Sequence, residues 1–165
     1  MTPQAKAGSA YAQDGVNIVE GDLFSHRASQ ICRASYSNSP YIKVRDMSRG
    51  HFRGPRGYQL RGLPRGCIQA TAPDGAGTKM IAVSVAGTFE QAGYELIAMT
   101  AMDITRWGGL PLGIVNVLDA RTIGKDGDET NEAALSLIRG LGTAAQEARM
   151  VVLQGETAEL GVCVG

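Results

Sequence analysis

Apolar positions along this 165-residue chain fall into short blocks whose spacing alternates between the helical and the extended period, with glycine and proline at the joints. Residues 1–10 carry no such period and read as a loose tail. Leu23, Ile31 and Ala34 can share the inner face of a helix that Asp22 is placed to cap and that runs to about Ser35. Residues 36–66 contain Pro40, Pro55, Pro64 and many glycines, so they are expected to be loop. Residues 67–72 read as a strand, whereas the apolar run 80–85 fits a strand or a helix. The clearest helix covers residues 89–107 and stops at Gly108-Gly109-Leu110-Pro111. Residues 112–118 are apolar at successive positions, which predicts a strand central in a sheet. The acidic cluster 126–132 suits the start of a helix reaching about Arg149, in which Gly140 and Gly142 weaken the helix or mark close packing. Residues 150–153 read as the last strand, delivering a Gln154-Gly155-Glu156 turn at its end. Strands and helices alternate, so the fold class is α/β (α+β) in one domain. Residues 1–66 form its tail, helix and Arg/Gly-rich loop, and residues 67–165 its α/β core.

Charge changes the picture of the loop. Residues 43–65 hold seven basic side chains against the single acid Asp46, although the whole chain is formally neutral. Five Arg-Gly pairs, at Arg49, Arg53, Arg56, Arg61 and Arg65, are interleaved with Phe52 and Tyr58. Three readings stand open: a mobile lid whose arginines reach phosphate groups, a solvated loop, or an RNA-binding segment. The position just before the 67–72 strand favours the lid, and nucleic acid is the least favoured partner. Cys32, Cys67 and Cys163 match neither a zinc spacing nor a disulfide framework, and His26 and His51 have no partner at ligand spacing. No apolar run approaches a membrane span, and the opening Met1-Thr2-Pro3-Gln4 is no signal peptide, so a cytoplasmic location without membrane contact is expected.

Candidate chemistry concentrates at Asp74-Gly75-Ala76-Gly77-Thr78-Lys79. Two glycines let the backbone turn and aim N–H groups at an anion, Lys79 adds a point charge for phosphate, and Asp74 can take a metal ion. The spacing is not that of a Walker A loop, and Asp-Gly is also a common hairpin turn. Asp103 shares a helix face with Leu96 and Met99, where a carboxylate needs a cation or donors. It is either a boundary salt bridge with Arg106 or a magnesium- and phosphate-organising carboxylate. Glu156 follows a glycine that permits close backbone approach to a ligand, whereas Glu159 equally suits a solvated helix start.

Taken in order, Tyr11-Ala12-Gln13-Asp14-Gly15-Val16-Asn17-Ile18, Asp74 through Lys79, Met102-Asp103, and Gly155-Glu156-Thr157-Ala158-Glu159 resemble the phosphoribosylformylglycinamidine cyclo-ligase (aminoimidazole ribonucleotide synthetase) family. The resemblance covers roughly residues 11–22 and 70–161, the N-terminal half of such an enzyme. Met102 stands where the family has Asn, and Gln154 replaces the first glycine of Gly-Gly-Glu. The resemblance implies a mixed sheet packed with helices, pairing into a barrel across a homodimer. It implies that ATP phosphorylates an amide oxygen of formylglycinamidine ribonucleotide, after which an internal amine closes the imidazole ring and expels phosphate. Asp74, Asp103 and Glu156 would hold magnesium (Mg2+), and Asp74, Lys79 and Asp103 would serve catalysis. Asp14, Gly75, Ala76, Gly77, Thr78, Lys79 and Glu156 would contact ATP. The family's second α/β domain helps form the cleft, so this chain alone is not expected to turn over its ribonucleotide substrate. A non-catalytic nucleotide-binding dimerisation module is one alternative. A sister branch such as thiamine-monophosphate kinase, selenophosphate synthetase or the hydrogenase-maturation dehydratase is another.

Overall fold

The computed structural model describes residues 16–163. Its centre is a crossover unit: β3 (Gly113–Ala120), helix α4 (Glu129–Glu147) and β4 (Val151–Glu159), with the two strands parallel. Parallel strands need such a crossover, and a helix supplies it. α4 buries Leu135, Ile138, Leu141 and Ala145, spaced three or four apart, so one face of the helix is apolar. Full burial of each large side chain contributes about 1.5–3 kcal/mol. Phe24 from α1 (Ile18–Ala34) and Ile97 from α3 (Phe89–Thr105) join that core, together with Ile123 and Val152. Gly140 is the contact point of α4 with α3, since a Cβ there would stand 1.9 Å from the Glu90 carbonyl oxygen. Gly93 makes the reciprocal contact, 2.1 Å from the Leu141 nitrogen by the same measure. Close packing is therefore the reason for glycine at 140.

Several expectations change. α1 begins at Ile18 and is capped by Asn17, whose Oδ1 accepts the Glu20 N–H at 3.3 Å, while Asp22 lies inside the helix and pairs with Arg53. Residues 36–66 are not all loop. β1 (Ile42–Asp46) and β2 (Arg56–Leu60) form an antiparallel hairpin with Val44 opposite Tyr58. The open 80–85 alternative resolves as helix α2 (Lys79–Ala86), closed by Gly87 in the left-handed region at φ 66°. Residues 67–72 are not a strand: they join no ladder, and Ile68 is 93% exposed. The segment and β3 border the same cleft, of about 910 Å³, and no ladder joins them among the described residues.

The third strand is at an edge rather than in the centre, because β3 and β4 form a two-stranded sheet of their own. Ile114 and Asn116 face the helices, while Val115 and Val117 are 63% and 62% exposed on the other face. β4 runs past residue 153 to Glu159, so Gln154, Gly155 and Glu156 lie in the strand and not in a turn. The register Asn116↔Gly155 and Val117↔Glu156 keeps the ladder going through the glycine, after an irregularity between Ile114 and Val115.

Candidate functional site

The Asp74–Lys79 turn sits at the start of α2. Among the described residues Asp74 accepts only the N–H of its neighbour Gly75, at 2.7 Å, and it is exposed. Gly77 takes φ 56°, a conformation that a side chain would strain. The Lys79, Met80 and Ile81 N–H groups are used on Ala76, Gly77 and Thr78 carbonyls, which fixes the turn onto the helix. Lys79 points away from Asp74, with its Nζ 2.5 Å from Glu95 Oε2 and 3.2 Å from Met99 Sδ on α3. Glu95 had no signal in the sequence, because only the docking of α2 on α3 brings it to Lys79.

Asp103 ion-pairs with Arg106 at 2.7 Å, one turn on, which is the boundary salt bridge of the two alternatives. Glu156 is exposed on the outer face of β4 and forms no salt bridge among the described residues. Glu159 faces inward and is fully engaged. Its Oε1 accepts the Ile123 N–H at 2.7 Å and the Thr122 hydroxyl at 3.1 Å, and its Oε2 accepts the Asn17 N–H at 3.1 Å. Among the described residues no three His, Cys, Asp or Glu side chains gather as a metal site, so Asp74, Asp103 and Glu156 are not brought together in one chain. Asp14 lies outside the described residues.

Two clefts flank β3 and β4. The larger, of about 910 Å³, runs between the 67–77 segment, α3 and β3, and Asp74, Gly75, Ala76 and Gly77 border it beside apolar Leu96, Val115 and Val117. The smaller, of about 480 Å³, lies between α1 and β4. Asn116 and Leu153 border both.

The tip of the β1–β2 hairpin closes over the smaller cleft. Arg56 is almost wholly buried there, 3% exposed, and holds the tip together. It donates to the Ser48 hydroxyl at 2.8 Å and to the His51 carbonyl at 2.9 Å. Asp46 accepts from the Ser48 hydroxyl and N–H, and these bonds, helped by Arg56 and Arg33, hold its carboxyl below the usual carboxylate range. Arg53 at the tip ion-pairs with Asp22 and lies 5.3 Å from the Phe52 ring centroid. The basic segment is thus an ordered hairpin with one arginine in its own fold and another on α1.

Fold and site define a mixed α/β domain with a glycine-containing turn at a helix start, open to a cleft. Residues 63–165 match the family described as AIR synthase related protein, N-terminal domain, and the chain belongs to that family. It is 29% identical to a phosphoribosylformylglycinamidine cyclo-ligase of Myxococcus xanthus, over 96% of this chain and 46% of that protein. Identity to a cyclo-ligase of Methanocaldococcus jannaschii is 36%, over 53% of this chain and 23% of the other. The bovine trifunctional purine biosynthetic protein adenosine-3 is 29% identical over 95% of this chain and 14% of its own length. The chain therefore spans less than half the length of these curated relatives. No helix among the described residues is long and apolar enough to cross a membrane.

Proposed function

We propose that this chain is the ATP-handling half of a cytoplasmic cyclo-ligase that converts formylglycinamidine ribonucleotide and ATP to aminoimidazole ribonucleotide, ADP and phosphate. The observation that carries the reading is the exposed Asp74–Thr78 turn, open to a cleft, in a chain that aligns along nearly its whole length with cyclo-ligases. Bound ATP would supply a phosphoryl group, and the work of the protein is positioning and charge neutralisation. Asp74 and the N–H groups around Gly75–Thr78 would face the phosphates. Lys79 reaches them by swinging its flexible stem off Glu95. The residues fit magnesium only loosely: one free carboxylate suits an ion held mainly by phosphate oxygens and water, not a cage of three acids. Glu156 on the outer face of β4 would join the site across an assembled interface. The open edge of β3, with Val115 and Val117 exposed, supports pairing of two such sheets in a homodimer.

The test is a calorimetric titration of the chain with magnesium-ATP, beside Asp74→Asn. Saturable, magnesium-dependent binding that weakens at least about tenfold in the variant, some 1.4 kcal/mol, supports the reading. Equal binding by both proteins removes Asp74 from the site. Complete absence of binding leaves a site that needs the family's second domain, or a fold kept for dimerisation in which Lys79–Glu95 and Asp103–Arg106 are permanent ion pairs.

A further inference from the structure

The β1–β2 hairpin has two unlike faces. Side chains opposite each other in an antiparallel ladder share a face, and successive ones alternate. The register Ile42↔Leu60 and Val44↔Tyr58 therefore puts four apolar or aromatic side chains on one face, where Ile42, Tyr58 and Leu60 border the larger cleft. Asp46 and Arg56 share that face at the tip, where they pair. The other face carries Lys43 opposite Gln59, and Arg45 opposite Gly57. Tyr41 continues it, its carbonyl accepting the Arg61 N–H at 2.9 Å. Lys43, Arg45, Gln59 and Arg61 are all exposed.

This outer face holds three cations and no acid. Asp46 is the single acid of residues 43–65, and it lies on the other face. Lys43, Arg45 and Arg61 form no salt bridge among the described residues. Strand spacing puts Lys43 and Arg45 about 7 Å apart, and Arg61 lies diagonally across from Lys43 at about 7–8 Å. Like charges so placed repel, and an anion bridging them removes that cost. Gln59 Oε1 accepts from Arg45 Nε at 3.2 Å and from Nη2 at 2.9 Å, which fixes the guanidinium across the ladder. The Tyr41 ring is half-buried in the same row. A Cβ on Gly62 would stand 3.9 Å from its Cδ1, so the glycine leaves that side of the ring uncovered. Ordered cations beside an open aromatic ring suit a single strand, whose phosphates meet the cations while a base stacks on the ring. An acidic peptide would use the cations and leave the ring idle.

We propose that the outer face of the β1–β2 hairpin binds single-stranded nucleic acid, with Lys43, Arg45 and Arg61 on phosphates and a base stacked on Tyr41. The surface lies on the opposite side of the hairpin from the cleft that Asp74 borders, and it is independent of the cyclo-ligase reading.

The test is fluorescence anisotropy of a labelled oligouridylate of about twelve nucleotides, titrated with the full 165-residue chain. Saturable binding is expected, with log affinity falling against log salt at a slope of about −2, the value for three phosphates of a single strand. Lys43→Gln, Arg45→Gln and Arg61→Gln should each weaken binding and reduce the slope by about 0.7. Tyr41→Leu should weaken binding at least about fivefold and leave the slope unchanged. Lys125→Gln, an equal loss of charge at an exposed site outside the hairpin, should change neither. The three glutamine variants replace exposed side chains, so they keep the test open should Tyr41→Leu not fold. No saturable binding up to about 100 μM at low salt overturns the proposal. Equal affinity for polyglutamate of the same length does so too, as the result of an acidic-peptide surface. So does self-association of the triple glutamine variant without oligonucleotide binding by the parent, which would mean that the charges only keep an open hairpin from pairing with other chains. Magnesium-ATP affinity should be the same in the parent and every hairpin variant. A parallel loss of ATP and oligonucleotide binding would put these cations in a nucleotide site and overturn the proposal, whereas loss of ATP binding by the parent alone sinks only the ATP reading.

Discussion

Gly155 lies so close to the Asn116 side chain across the β3–β4 ladder that a Cβ on it would stand 2.9 Å from Oδ1 and 3.3 Å from Nδ2. The glycine before Glu156 therefore has a partner inside the protein. A glycine there reads naturally as room for a ligand against the backbone, yet the neighbour it makes room for is a buried amide.

Gly155→Ala should accordingly cost about 1–3 kcal/mol, the usual penalty for overpacking. In an Asn116→Ala background the same change should cost less than about 1 kcal/mol, because the clashing amide is gone. Urea denaturation of the four proteins of this cycle measures the coupling. Equal costs in both backgrounds would mean that strand propensity, and not the amide, sets the requirement for glycine.

The α3–α4 crossing is less forgiving. Gly140→Ala would put a methyl 1.9 Å from the Glu90 carbonyl oxygen, and that atom belongs to helix backbone. The helices must separate, so a loss above about 3 kcal/mol is expected, beyond ordinary overpacking. Gly142→Ala meets only the Ile31 Cγ2, at 2.8 Å, a side-chain atom that can move. It should be near neutral, since alanine also gains about 1 kcal/mol of helix propensity. Thermal melts of the two variants should thus differ widely although the sites are two residues apart.

Thiol chemistry separates the three cysteines. Cys67 and Cys163 are exposed and Cys32 is buried, so a thiol reagent should label two groups quickly and the third only on unfolding. The folded protein keeps the Cys32 proton up to about pH 11, whereas the unfolded thiol releases it near its ordinary value of 9.0. Between these values the native state binds more protons than the unfolded one, and stability must fall as pH rises, by at most about 3 kcal/mol. Cys32→Ala should remove that alkaline slope. A slope that persists in the variant would have to be assigned to other groups.

How much of this was legible beforehand depended on the range of the interaction. Helices α3 and α4 followed from periodicity, whereas the cap of α1 was assigned to Asp22 and is Asn17. The hairpin was hidden by its own tip: the glycine and proline of residues 47–55 drew attention away from the Ile42/Val44 and Tyr58/Leu60 alternation on either side. Residues 67–72 show the opposite failure, a largely apolar segment that pairs with no strand among the described residues. The bend at Gly77 into α2 was readable because a turn is local. Lys79–Glu95, Arg53–Asp22 and the unmet Asn116 were not, because each depends on how separate elements dock.

Glu156 and Glu159 give the sharpest contrast between sequence and strand geometry. Three apart in sequence, they fall on opposite faces of β4. Glu159 joins the start of α1 to the 121–124 loop through three hydrogen bonds, those of Asn17, Thr122 and Ile123. Bonds to a charged acceptor are worth about 1.5–3 kcal/mol each when buried, and this carboxylate is half-buried. Glu159→Ala should therefore destabilise by about 2 kcal/mol, while Glu159→Gln, keeping one acceptor oxygen, should lose about half of that. Glu156→Ala should leave the melting temperature within the range of a neutral surface change, about 0.5 kcal/mol, since no salt bridge among the described residues uses it. Its effect should appear in the magnesium-ATP titration, as a loss that Glu159→Gln does not share. If Glu156→Ala lowers stability and leaves ATP affinity untouched, its carboxylate belongs to the fold, and the outer face of β4 has no part in nucleotide binding.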